Sequence, residues 1–373
     1  MSSTSPRGNR LGMMLLAAIG LLVLPLIAQQ FGNAWVRIVD TALLYVLLAL
    51  GLNIVVGYAG LLDLGYVAFY AVGAYMFALL ASPHLTETFP AIAAMFPDGL
   101  HLPIWVVLPL GAALAGLAGL LLGSPTLKLR GDYLAIVTLG FGEIVRVFLA
   151  NLEQPLNITN GPRGIGQIDS LSLFGWDLGK KWELAGFEIP SVTNYYYLFL
   201  ALVVLAIVIC HRLERSRIGR AWMAIREDEI AARAMGINTR NLKLLAFGMG
   251  ATFGGVAGVL FATFQGFVSP ESFSLQESVM IVAMVVLGGI GHIPGVVVGA
   301  LLLAALPEVL RYVAGPLQSM TDGRLDASIL RQLLIALAMI GIMLARPRGL
   351  WPAPERGRAA VAKSTGQGEA HRD

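Results

Sequence analysis

The stretch LLYVLLALGLNIVVGYAGLLDLGYVAFYAVGAYMFALLA (43–81) contains two apolar runs, 41–57 and 66–81, separated by the segment GYAGLLDLG (57–65). A helix needs about 20 apolar residues to cross a hydrocarbon core of roughly 30 Å. The second run is shorter than this and contains a glycine, so it either crosses with little tilt or forms part of a broken helix. We favour a broken helix inside a bundle.

Apolar runs of this kind recur along the whole chain. Of its 373 residues 57% are apolar and 13% are charged, which leaves too few polar side chains to coat a soluble domain of this size. The sequence therefore predicts an all-α polytopic membrane protein with about ten transmembrane helices in one domain, residues 1–351. The predicted runs are 11–28, 41–57, 66–81, 103–123, 131–151, 194–211, 243–265, 276–292, 294–312 and 329–345.

The sequence also bears on a possible signal peptide, a disordered tail and an internal repeat. The first run follows two arginines, so a cleaved signal peptide is the alternative to a retained helix. Residues 352–373 lack a periodic apolar pattern and are predicted to form a disordered cytoplasmic tail. GYAGLLDLG and GFVSPESFS (266–274) interrupt corresponding runs, so residues 1–151 and 194–345 are predicted to be two five-helix repeats. Because five is odd, these repeats would be inverted.

The positions of arginine and lysine predict the orientation. With the amino terminus inside, 17 of these residues fall in cytoplasmic segments and five in outer segments. Cytoplasmic loops of membrane proteins are enriched in these residues. Both termini are therefore predicted to be cytoplasmic, with 152–193 as a periplasmic loop and 212–242 as a cytoplasmic loop. The basic residues form no single stripe, which argues against a nucleic-acid partner.

The cytoplasmic loop contains a patterned segment, ERSRIGRAWMAIREDEIAARAMGINTRNLK (214–243). Residues 228–235 are predicted to form a short helix, capped by Asp228, ended by Gly236 and supported by a Glu229–Arg233 pair. Its narrow apolar face comprises Ile230, Ala231, Ala234 and Met235. An interfacial helix on anionic lipid is the alternative, but the acidic residues 227–229 would be repelled there. Docking into a groove of another protein is favoured.

Several segments carry a resemblance to a known family. GRAWMAIREDEIAARAMGIN (219–238) resembles the cytoplasmic signature of the branched-chain amino acid ABC transporter permease family, LivM-type subunit. The likeness extends to 51–75, 246–262, 269–278 and 286–295, and it covers about residues 40–352. In importer permeases the general motif has Glu-Ala-Ala in sequence, whereas here Ile230 separates Glu229 from the two alanines.

The resemblance implies one subunit of a multi-subunit transporter that imports leucine, isoleucine and valine across the bacterial inner membrane. It implies two ATPase subunits (LivG/LivF-type), a second permease subunit (LivH-type) and a periplasmic substrate-binding protein. Related permeases for urea, amides or other amino acids are the alternative. The ATPase-coupling residues that the resemblance carries over are Arg226, Glu227, Glu229, Ala231, Ala232 and Gly236.

The chain has no GxxxxGK[ST] phosphate loop, so ATP and Mg are expected on the partner ATPases and no cofactor on this chain. An enzyme is not indicated, because no catalytic constellation can be assembled from five histidines and one cysteine. An ion-coupled secondary transporter using Asp63, Glu143 or Glu277 is a further alternative.

A zwitterion cannot cross hydrocarbon unaided, so polar groups near helix breaks are candidates for the substrate pathway. Each of them also has an ordinary interpretation as a helix cap or an interhelical hydrogen bond. The candidates are Asn53, Gly57, Asp63, Gly65 and Glu277.

Overall fold

A computed structural model of the chain describes residues 19–96, 100–126, 129, 131–173, 176–184, 187–320, 327–346 and 349–351. The helices of the first half are α1 (Ile19–Gln30), α2 (Asn33–Asn53), α3 (Val67–Leu80), α4 (His84–Thr88), α5 (Pro90–Met95), α6 (Ile104–Thr126) and α7 (Asp132–Asn151). Those of the second half are α8 (Ser191–Arg215), α9 (Arg217–Glu227), α10 (Glu229–Ala234), α11 (Thr239–Gln265), α12 (Leu275–Gly288), α13 (Ile293–Met320) and α14 (Ala327–Ala345).

The described helices confirm the prediction of an all-α multi-pass membrane protein. Within the described residues six helical segments are long and apolar enough to cross a bilayer: Asn33–Tyr58, Ile104–Thr126, Asp132–Asn151, Ser191–Arg215, Thr239–Gln265 and Ile293–Leu310. Four shorter apolar helices overlap the remaining predicted runs, and ten crossings stay a prediction. The predicted tail (352–373) and the first part of the first run lie outside the described residues.

The two short runs of the sequence form α3 and α12, each 14 residues long. At 1.5 Å per residue such a helix spans about 21 Å, less than the hydrocarbon core. Each follows a long helix, α2 or α11, after an irregular segment, and most side chains of α3 are buried. This order of long and short helices is the same in both halves, and the inverted repeat stays a prediction.

Helix α11 lies at the centre of the bundle and packs against α2, α3 and α6. Glycines bring its backbone close to its neighbours. A Cβ at Gly258 would lie 2.1 Å from the carbonyl oxygen of Tyr70 on α3, and one at Gly255 would lie 2.6 Å from that of Gly111 on α6. The glycine pattern therefore serves close helix packing, as in other membrane bundles.

Several predicted boundaries were wrong, and three of them show why. Helix α2 begins at Asn33 rather than at 41, because Arg37 and Asp40 interrupt the apolar run but do not interrupt the backbone helix. Asp40 is fully buried. Helix α8 continues beyond the predicted residue 211 to Arg215, and α13 continues beyond 312 to Met320. Charged residues end an apolar run in the sequence, whereas only backbone geometry ends a helix.

The loop after α7 contains extended structure that the all-α prediction omitted. Two antiparallel hairpins are formed by β1 (Ser172–Leu173) with β2 (Trp176–Asp177), and by β3 (Trp182–Leu184) with β4 (Phe187–Ile189). Ile165 and Val268 exchange backbone hydrogen bonds of 2.8 and 2.9 Å. The loop is thereby tied to the irregular segment before α12.

Candidate coupling site

The segment 216–236 forms a helical hairpin of α9 and α10. The Ser216 hydroxyl oxygen accepts a 3.1 Å hydrogen bond from the Gly219 amide and caps α9. Asp228 separates the helices and caps α10 by accepting from the amides of Ile230 (2.8 Å) and Ala231 (3.0 Å). Gly236 has a φ of +84° just after α10 ends. The predicted capped helix is confirmed, whereas α9 was missed despite its Ser216 cap.

An apolar face of α10 points away from the bundle. Ile230 is 71% exposed and Met235 is 83% exposed, and the neighbouring Ala231 and Ala234 are exposed too. Exposed apolar side chains that adjoin each other mark an interaction surface. Ala232, predicted to contribute to docking, is only 4% exposed. It therefore packs within the chain, on the side of α10 opposite the exposed apolar face.

The back of the hairpin is fixed to the first turns of α11. The fully buried Trp222 donates from Nε1 to the Leu242 carbonyl oxygen at 2.7 Å. The Lys243 ammonium lies 2.7 Å from a carboxylate oxygen of Glu229, and its side chain is only 9% exposed. Arg233 reaches the other oxygen of the same carboxylate at 3.1 Å, as its predicted i,i+4 pairing requires. Glu229 thus joins the hairpin to α11.

The end of α9 is fixed to a second region of the bundle, which we name the Arg226 junction: Asn53, Gly57, Gly60, Arg226 and Gly291. The Arg226 guanidinium donates to the Gly57 carbonyl oxygen in the π-helical turn Ile54–Tyr58. The Asn53 side-chain oxygen accepts from the Gly291 amide at 2.9 Å. Residues predicted separately for ATPase coupling and for the substrate pathway therefore meet at one junction.

Glycine is required at two positions of this junction. Gly60 has a φ of +70°, and a Cβ there would lie 2.8 Å from Cγ of Arg226. Gly291 has a φ of +82°, and a Cβ there would lie 2.8 Å from the Arg226 guanidinium. Side chains are disfavoured at such φ values and would also displace the arginine. Beside the junction lies a cleft of about 260 Å³, whose lining includes Arg226, Glu229 and Lys243.

The other predicted pathway residues lie apart from the junction. Asp63 is 1% exposed, and one of its carboxylate oxygens accepts a 2.9 Å bond from the Gly65 amide. The cavity beside them is about 10 Å³, room for about one water molecule. A Cβ at Gly65 would lie 2.0 Å from the Thr138 carbonyl oxygen. In this conformation both residues make local contacts, and their place in a substrate pathway stays a prediction.

Glu277 lies on the first turn of α12 and accepts a 2.8 Å hydrogen bond from the Tyr45 hydroxyl of α2. Glu277 thus makes an interhelical contact, and its place in a substrate pathway stays a prediction. The neighbouring Ser278 hydroxyl donates to the Leu64 carbonyl oxygen and so connects α12 to the segment after α2. Tyr45 and Ser278 were not singled out from the sequence, because nothing local distinguishes one partner in a contact between distant helices.

Glu229 is paired with both Lys243 and Arg233, so the effects of removing each cation can be compared. We expect Lys243→Met to destabilise the hairpin by about 1 to 3 kcal/mol, because a largely buried carboxylate–ammonium bond is lost. Arg233→Met should cost less than about 1 kcal/mol, because the Arg233 side chain is 61% exposed. Hydrogen–deuterium exchange of residues 217–234 measures the difference. Equal exchange in the two variants would contradict the proposed attachment through Lys243.

The fold and the site together indicate which class of membrane protein this is. Spanning helices with two short helices between them, and a hairpin that presents an apolar face outside the bundle, indicate a multi-pass transport permease. Residues 34–343 match the family described as branched-chain amino acid transport system, permease component. The chain belongs to this family.

Curated relatives agree with this membership. The chain is 42% identical over 348 residues to the high-affinity branched-chain amino acid transport system permease protein LivM of Escherichia coli, covering 90% of this chain and 74% of that protein. It is 43% identical over 329 residues to LivM of Salmonella typhimurium, covering 85% and 70%. The permease protein LivH of Escherichia coli is 26% identical over 316 residues, covering 83% and 92%. No solved structure matches the chain significantly.

Proposed function

We propose that this chain is the permease subunit of an ATP-driven importer that carries leucine, isoleucine and valine across the bacterial inner membrane. The observation that carries the proposal is the α9–α10 hairpin, which exposes Ile230 and Met235 while its back is fixed to the bundle. The names of the LivM relatives support the substrate class.

The proposed assembly contains a second, LivH-type permease subunit beside this one, two ATPase subunits and a periplasmic binding protein. The ATPases bind ATP and Mg, since the chain has no phosphate loop of its own. They dock on the exposed face of α10 on the cytoplasmic side, where both termini also lie. The binding protein delivers substrate on the opposite side.

Three contacts would transmit ATPase motion from the hairpin to the bundle. Trp222 and Glu229 hold it to α11, the central helix, and Arg226 holds it to the turn that ends the α2 segment. A displacement of α10 would therefore move α11 and the π-helical turn together. Because α3 packs tightly on α11, the movement would reach this short helix as well.

The test is uptake of radiolabelled leucine into vesicles that contain all the subunits. The complete complex should take up leucine in an ATP-dependent manner, with isoleucine and valine as competitors and urea without effect. Met235→Glu should abolish uptake and prevent copurification of the ATPase, because a charge would be buried at the docking surface. Asn241→Glu places the same charge on an exposed position at the start of α11 and should leave both unchanged.

Two results would contradict the proposal. Leucine uptake that urea suppresses as strongly as valine would remove the branched-chain assignment. Normal uptake and normal ATPase copurification in Met235→Glu would remove the docking surface.

A further inference from the structure

A cavity of about 270 Å³ lies between α2 and α13, away from the Arg226 junction. Its volume is close to the lower limit of small-molecule sites, about 300 Å³. It lies near the first turns of α2, the end of that helix predicted to face the periplasm. The lining residues are Ala34, Arg37, Ile38, Thr41, Ala304 and Glu308.

Two charges of opposite sign line this cavity. Arg37 comes from α2 and Glu308 from α13, both in helical segments that are otherwise strongly apolar. Charged side chains are rare in spanning helices, and they usually face the bundle interior or a water-filled cavity. Such charges often pair within the protein, and Glu308 already has a partner within the chain. A carboxylate has about four acceptor sites, however, so the two groups together still suit a polar ligand with charges of both signs.

The guanidinium of Arg37 is held in place by α11. It donates to the side-chain oxygen of Gln265, and its Cζ lies 5.2 Å from the ring centroid of Phe264. A guanidinium has five N–H donors in a planar fork, so one bond to Gln265 leaves donors for a carboxylate. The fixed group is pre-organised for a ligand, which reduces the entropy lost on binding.

The remaining walls suit an aliphatic group. Ala34, Ile38 and Ala304 are apolar, and the Thr41 hydroxyl donates to the Arg37 carbonyl oxygen at 2.9 Å. A branched-chain amino acid combines one carboxylate, one ammonium and one aliphatic side chain. Each of these has a complementary group in the cavity lining.

We propose that this cavity is a binding site for the zwitterionic amino acid as it enters the permease. Arg37 donates to the α-carboxylate, Glu308 accepts from the α-ammonium, and the side chain packs on Ala34, Ile38 and Ala304. This proposal rests on the proposed import of branched-chain amino acids and names the residues that recognise them.

Ligand protection of an introduced thiol tests the site directly. The only native cysteine, Cys210, is 1% exposed, so an Ala34→Cys thiol can be labelled selectively on this chain in the assembled complex. We expect leucine to slow maleimide labelling of this thiol at least threefold. Leucinamide, which lacks the carboxylate, and 4-methylpentanoate, which lacks the ammonium, should give no protection at the same concentration. Labelling is read from the mass of the peptide that contains residue 34.

The variant Arg37→Gln, combined with Ala34→Cys, should lose protection by leucine. Arg146→Gln is the matched control, because Arg146 pairs with Glu143 on α7, outside the cavity lining, and should leave protection unchanged. A thiol introduced by Val147→Cys, at an exposed position of α7, should not be protected by leucine, leucinamide or 4-methylpentanoate. The same results are expected for Glu308→Gln as for Arg37→Gln.

The outcomes distinguish a failure of the proposed binding site from a failure of the proposed import function. Leucine uptake by the complex without protection of the Ala34→Cys thiol would overturn the site and leave the import function intact. Equal protection by leucine, leucinamide and 4-methylpentanoate would also overturn it, since charge recognition would be absent. A complex that takes up no leucine would overturn the proposed function itself.

Discussion

Replacing Gly258 by valine is expected to destabilise the folded bundle by about 3 kcal/mol or more. A Cβ at this position would lie 2.1 Å from the Tyr70 carbonyl oxygen and 2.6 Å from the Ala74 amide nitrogen. Both atoms belong to the backbone of α3, so no side chain can rotate away, and α3 and α11 must separate. Overpacking usually costs 1 to 3 kcal/mol, and a clash between two backbones falls at or above the upper end.

The single cysteine of the chain provides the measurement. Cys210 is buried, so a thiol-reactive dye reports thermal unfolding of the purified subunit in detergent. Gly140→Val is the matched control: Gly140 is in α7, and a Cβ there would meet nothing within 4 Å. Valine has a slightly higher helix propensity than glycine, so this control should change stability by less than about 1 kcal/mol. Equal melting midpoints for the two variants would contradict the packing described for α11.

Replacing Arg226 by alanine is expected to lower leucine uptake about tenfold to a hundredfold while ATPase copurification persists. The substitution removes the hydrogen bond to the Gly57 carbonyl oxygen and the contact with Gly60. A hydrogen bond from a charged group contributes about 1.5 to 3 kcal/mol, which corresponds to this range of equilibrium constants. The exposed face around Ile230 and Met235 is unchanged, so docking should be retained.

Arg220→Ala controls for the loss of one positive charge on the same helix. Arg220 is exposed, and its guanidinium donates to the Arg215 carbonyl oxygen, a local contact at 2.8 Å. Uptake and ATPase activity are measured in the same vesicles, and the ratio of leucine imported to ATP hydrolysed should fall only in Arg226→Ala. An unchanged ratio in that variant would show that motion reaches the bundle without the Arg226 junction.

The features that were predicted well from the sequence depend on residues close together in the chain. The cap by Asp228, the Glu229–Arg233 pair and the end of α10 at Gly236 were all predicted, because each depends on residues within four positions. The short helices α3 and α12 were likewise predicted from run length. Helix α9 was missed, since its apolar face, with Trp222 and Ile225, is narrow within a charged segment.

Contacts between distant segments were not predictable in the same way. Asn53, Gly57 and Arg226 were assigned to two separate roles, yet they belong to one junction. The sequence did not show that Asp63 bonds to the Gly65 amide or that Gly65 packs against the Thr138 backbone, and their role in a pathway stays a prediction. The pairing of Arg37 with Gln265 and the cavity shared with Glu308 join residues more than 200 positions apart.

The sequence by itself determined that the chain is a helical membrane protein, approximately where its apolar helices lie, and that a capped helix lies between α8 and α11. These features follow from run length, charge and hydrogen bonds within one or two helical turns. Only the tertiary structure decided that Glu229 is bonded to Lys243 of α11, that Arg226 contacts Gly57, and that Arg37 and Glu308 line one cavity. Such contacts depend on how helices pack, and glycines determine this packing only in combination with the backbone that each one meets.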